Sequence, residues 1–196
     1  MVIPPIDEVQ SVLADFEVRL RSILESAWSE WLTFPSRGSL SPRSRASIVF
    51  DFIKHRALEE FLGDPNIRPL PKGQTIHFLF GDRVLLRFKK ANSSGLGSNI
   101  ETQAVLEFID PQFQLLDLPE IYRVEACYHL DKLATKVDLV TISARRRNRR
   151  LWSYEMRRPP SDVVVPLPTA PQSPDDGKPA EVRPRKVTEK PETLGE

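Results

Sequence analysis

Between Asn66 and Thr75 the spacing of apolar residues changes from three or four to two, and that change fixes the fold class. Before it, Ile6, Val9, Leu13, Phe16, Leu20, Ile23, Ala27 and Trp31 fall on one face of a helix expected over 6–33. Pro4 and Pro5 precede that helix, and Asp7 and Glu8 suit the positive end of its dipole. After the change, Ile76, Phe78 and Phe80 alternate with His77 and Leu79, Gly81-Asp82 makes a turn, and Val84, Leu86 and Phe88 return on one face against Arg87 and Lys89. A chain that is helical first and hairpin-paired afterwards belongs to the α+β class.

The remaining elements follow from caps and breakers. Ser41 as N-cap and Pro42 as first helical residue announce a second helix over 42–62, with Ile48, Val49, Phe52, Ile53, Phe61 and Leu62 as its apolar face. Gly63 and Asp64-Pro65 end it, and NIRPLPKG reads as a loop. A third helix is expected from Ser98 to about Ile109, then strands over 121–130, 133–143 and 151–156. The expectation is α+β: two N-terminal helices, and a five-stranded, mostly antiparallel sheet (region 74–157) with one inserted helix, all in a single domain, 1–158. Trp28 and Trp31 sit near the end of the first helix, either as core or as a surface for a partner helix.

From Pro159 the character shifts. Nine of the 18 prolines lie in 159–196, aromatics are absent, and seven acids stand against five bases. Such a stretch buries too little apolar surface to offset its ordering entropy, so a disordered Pro-rich charged tail is expected. That tail carries −2 of a formal +1, leaving the body at about +3, so local clustering of charge must identify any charged partner. One cysteine, Cys127, rules out an internal disulfide and fits a reducing compartment. With no basic leader and no long apolar run, a soluble cytoplasmic protein that does not enter a membrane is expected.

Two stretches could hold a ligand. In VLLRFKKANSSGLGSNIE, Lys89 and Lys90 end a strand, and Gly95, Gly97, Ser98 and Asn99 lead into a helix N-terminus. Exposed amides there, with two cations, would suit a phosphate. The plain alternative is that Ser98-Asn99-Ile100-Glu101 is a capping box, which uses up two of those amides and adds a repelling carboxylate. The second stretch is Arg145, Arg146, Arg147, Asn148, Arg149 and Arg150 at a hairpin tip, suited to phosphates, followed by Trp152 and Tyr154, which could stack on bases. The plain alternative is that the charges guard a sheet edge and the aromatics are core.

No catalytic constellation is present. His55, His77 and His129 are dispersed without metal-ligand spacing, so no metal and no cofactor is expected, and Cys127 alternates within a strand as a buried thiol would.

ASIVFDFI, QTIHFLF, VLLRFKK, GLGSNIETQAVLEFID and LWSYEM resemble an uncharacterised bacterial family associated with genes for ImmA/IrrE-type metallopeptidases, in toxin–antitoxin or phage-defence-like modules. The resemblance covers 50–154 and implies an accessory or antitoxin-like protein whose protein partner is a metallopeptidase-type toxin. The expected function is therefore a non-enzymatic binding protein for a protein partner and for nucleic acid. The alternative is a nucleotide- or phosphate-ester-binding enzyme or sensor built on Lys89, Lys90 and the 95–99 loop.

Overall fold

Ser41 behaves as its sequence position demands: its Oγ accepts the Ser44 amide at 3.1 Å and Pro42 opens the helix behind it. The computed structural model describes residues 3–92, 94–98 and 121–158, all within one compact unit, Met1–Pro160. Among these residues are three α-helices, α1 (Ile6–Leu13), α2 (Glu17–Thr33) and α3 (Pro42–Glu60). The strands are β1 (Ile67–Lys72), β2 (Thr75–Phe80), β3 (Val84–Lys90), β4 (Tyr122–Leu130), β5 (Val137–Arg146) and β6 (Arg149–Glu155). The expected helix at 98–109, Asn99 and the tail at 159–196 lie outside the described residues.

The α+β class holds, with three corrections of detail. The first helix is broken at Ala14–Phe16, where the Phe16 amide turns back to the Leu13 carbonyl at 2.9 Å. The break lets the Phe16 ring meet Phe80, centroids 5.2 Å apart, while Val9 and Leu13 still reach the core. Second, IRPLPK is a strand. Pro69 and Pro71 are two residues apart, so their missing N–H groups face the same, outer side of an edge strand, where no ladder bond is lost. Third, the strands follow chain order β1-β2-β3-β4-β5-β6, and β3 pairs with β4 in parallel, Val84 opposite Tyr122 through Lys90 opposite Tyr128. A parallel pair needs a crossover of a dozen or more residues, and the connection from Ala91 to Ile121 supplies it.

One sheet face carries the core with the helices. Phe78, Phe80, Val84, Leu86, Phe88, Val124, Ala126, Val140 and Ile142 are buried beside Leu13, Leu20, Leu24, Val49 and Ile53. Phe61 sets its ring edge-on to both Phe78 and Phe80, at 5.5 and 5.6 Å. Trp28 and Trp31 are buried here too, so their aromatic area belongs to the protein's own core. Leu62, expected on the apolar face of α3, is instead 86% exposed beyond the end of that helix. The end of the sheet is held to α2: Arg21 donates to the Met156 and Arg157 carbonyls at 3.0 and 3.1 Å, and Glu17 accepts the Arg157 amide at 3.0 Å.

Candidate nucleic-acid interface

Strand alternation sends Arg87, Glu125, Cys127, Thr141 and Ser143 to the other sheet face, where they are buried as well. Glu125 is the centre of that polar layer. Its Oε1 accepts from Arg87 Nε at 3.0 Å and from Arg87 Nη2, and its Oε2 accepts the Gly97 amide at 3.2 Å. Arg145 Nη1 stands 3.7 Å from Oε2 and donates to the Gly97 carbonyl at 3.1 Å. One carboxylate thus ties together β3, β4, the tip of β5 and the loop after β3. Cys127, beside it, has its thiol pushed up to about 12 by burial first and by Glu125 next, so it is not a ready nucleophile.

The glycine loop is committed internally. Asn92 Oδ1 accepts the Ser94 and Leu96 amides, the Asn92 carbonyl accepts Gly95 N–H, and the Lys90 carbonyl accepts Ser98 N–H at 2.7 Å. With Gly97 N–H on Glu125, every amide from Ser94 to Ser98 already has an acceptor, leaving none for a phosphate. Lys89 and Lys90, adjacent in a strand, point to opposite faces, so they cannot grip one anion together. The partners of Asn99 lie outside the described residues.

Gly97 explains the close approach. A Cβ there would lie 2.6 Å from Glu125 Oε2 and 2.8 and 2.9 Å from Lys89 Cβ and Cγ. Gly97→Ala is expected to lower stability by about 1–3 kcal/mol through overpacking alone, read from a urea melt. Gly38→Ala, where nothing lies within 4 Å, is its control.

Cations crowd this face. Lys89 is held to about 8 by burial first and Arg87 next. His77 is held down to about 4 by burial first, then by Arg87, Lys72, Lys89 and Arg123. Between about 4 and 6.5 the unfolded chain therefore binds a proton that the folded chain refuses, so stability falls as pH drops through that window. His77→Gln should flatten this part of a melting-temperature profile taken from pH 7 to 4.5.

The β5–β6 turn is the exposed end of the same arrangement. The last β4–β5 rung is Glu125 opposite Ser143, and beyond it β5 pairs only with β6. A register shift at Ala144/Arg145 is followed by Arg145 opposite Arg150 and Arg146 opposite Arg149. Arg147 closes the turn at φ 50°. Arg145 Nε donates to the Arg147 carbonyl at 2.6 Å and its Nη2 to Asn148 Oδ1 at 3.1 Å, so Arg145 braces the turn from inside. Arg146, Arg147, Arg149 and Arg150 are exposed. Arg150 passes over Gly95, where a Cβ would sit 2.8 Å from its Nη1.

Of the residues singled out in the sequence, the fold thus gathers Gly97 and Arg145 near Lys89, sets Arg150 over Gly95, and leaves Lys90 on the far side. Trp152 and Tyr154 stand opposite Ala144 and Ile142 on the helix side and pack against the core. The Trp152 indole donates to the Pro4 carbonyl at 2.6 Å. Arg87 and Glu125 were missed: each falls at the polar register of its strand, and only the parallel β3–β4 pairing, which sets Arg87 opposite Glu125, brings them together. Among the described residues no three His, Cys, Asp or Glu side chains gather as a metal site, and no helix is long and apolar enough to cross a membrane. Comparison of the chain with protein-family models, curated proteins and solved structures gives no match.

Proposed function

We propose that this chain is a non-enzymatic binding module that holds the phosphate backbone of nucleic acid on the β5–β6 tip. The observation that carries the reading is the pair Arg146 opposite Arg149, with no ion pair to either among the described residues. Like charges directly opposite in a ladder destabilise it, and a local rule broken with no compensation among the described residues is in keeping with a functional surface. The neighbouring pair, Arg145 opposite Arg150, is compensated on one side by Glu125. A polyanion supplies what the outer pair lacks. As the resemblance to metallopeptidase-associated proteins implies, a protein partner works beside the nucleic acid. The phosphate-ester alternative finds no support in the loop amides, all of which are occupied from Ser94 to Ser98.

Fluorescence anisotropy with a labelled oligonucleotide across a salt series tests the reading. Phosphate contacts from Arg146, Arg149 and Arg150 predict a slope of about −2.7 in log affinity against log salt, or roughly fortyfold between about 50 and 200 mM. No binding at low salt, or affinity indifferent to salt, would remove it.

A further inference from the structure

Resting on that reading, we infer that the ligand is B-form duplex DNA and that the β5–β6 tip enters its major groove as a two-stranded ribbon. Three observations point there. Past the β4 ladder the β5–β6 pair carries three more rungs: Ala144–Trp152 packs on the core, Arg145–Arg150 lies against the 95–97 loop, and Arg146–Arg149 stands exposed with the turn residues Arg147 and Asn148. The major groove is about 12 Å wide and 8.5 Å deep and admits a two-stranded ribbon. The side chains alternate, so Arg146 and Arg149 share one side of the ribbon and Arg150 lies on the other, a disposition that meets the phosphates of both groove walls. Finally, a single strand asks for exposed aromatic rings to stack its bases on, and Trp152 and Tyr154, the aromatics nearest the tip in sequence, are spent on the core.

The ribbon is also held ready. Arg145 fastens the turn to Arg147, Asn148 and Gly97, so its geometry is set before any ligand arrives. Plain alternation from Thr141 and Ser143 sends Arg145 to the Glu125 side, and the register shift, which leaves Leu151 of β6 as the extra residue, brings Arg150 opposite it, as bulges commonly re-aim a side chain. The deep, narrow major groove of duplex RNA would not accept such a ribbon.

The test uses the full chain and four labelled probes at low salt: a short DNA duplex, its separate strands, the matching RNA duplex, and the DNA duplex with glucosylated hydroxymethylcytosines filling the major groove. The DNA duplex is expected to bind at least about tenfold tighter than any other probe, and a minor-groove ligand should not displace the protein. Equal or tighter binding to single strands or RNA, indifference to the filled groove, or displacement by the minor-groove ligand would overturn the groove inference while sparing phosphate binding. Binding to none of the four probes removes both readings, as does binding only to vesicles containing phosphatidylserine. Because Asn148→Gly leaves the arginines in place but takes an acceptor from Arg145, it should narrow the duplex preference more than it changes the salt slope. An unchanged preference would show that the braced turn is not what selects the duplex.

Discussion

Glu125→Gln is expected to cost about 3–5 kcal/mol of folding stability. The carboxylate is fully buried and answers two guanidiniums, of which the Arg87 and Arg145 side chains are each 5% exposed. Glutamine keeps the shape and the acceptor oxygen but leaves both cations without a counter-charge in a place water does not reach. The amide nitrogen would also face either Gly97 N–H or the Arg87 fork, donor against donor. Replacing Arg87, Glu125 and Arg145 together by apolar residues of similar volume should return much of the loss, since the desolvation of all three charges then disappears. A urea melt of the single and triple variants checks both halves. A triple variant no more stable than Glu125→Gln would show that the network contributes more than its own desolvation cost.

Neutralising the tip has the opposite signature. Arg146→Ala with Arg149→Ala should leave the melting temperature unchanged or slightly raised, because the pair is exposed and its charges oppose each other. Oligonucleotide affinity at about 50 mM salt should fall by roughly tenfold or more, and the salt slope should shrink by about 1.8, two phosphates at 0.9 each. Arg145→Met reverses the pattern: stability drops with the loss of the Glu125 and Gly97 contacts, and the salt slope stays put at temperatures where the variant is folded. The five arginines of this hairpin end therefore do separable work, and the two measurements distinguish them. Equal effects of Arg145→Met and the outer pair on the slope would mean that Arg145 also reaches phosphate.

Much of the fold is legible in the residue pattern. The switch to period two places Ile76, Phe78, Phe80, Val84, Leu86 and Phe88 on the core face, and all six are buried. Ser41-Pro42 gives the start of α3 for a local reason that needs no tertiary contact. What escapes is set at a distance. The break at Phe16 goes with a ring contact to another element, Phe80, and a helix-period pattern runs straight through it. The strand at Ile67–Lys72 hides behind two prolines that disqualify it only if it lies inside a sheet, and a sheet's edge is a property of the whole topology. The site is legible in part. Arginine clustering marks the tip, but nothing within RRRNRR distinguishes Arg145 from its neighbours. Its role depends on Glu125, twenty residues earlier, and on a glycine forty-eight residues earlier. Lys89 and Lys90 could have been separated at once by strand alternation, which forbids neighbours from sharing a face.

The parallel seam between β3 and β4 divides the sheet into two cassettes, each contiguous in sequence and each zipped by near neighbours: β1–β3 and β4–β6. Every other pairing closes through a short loop, so each cassette can form early and cheaply in loop entropy, and the seam is the one ladder that must wait for a distant segment. Among the described residues no rung of a named strand involves the chain between Lys90 and Tyr122, and a nick after Ser98 would leave every described pairing in place. Two separately made fragments would then have a complete edge each to offer the other. The arginine tip would arrive with the second fragment, and its brace at Gly97 with the first, so the binding end is finished only when the halves meet.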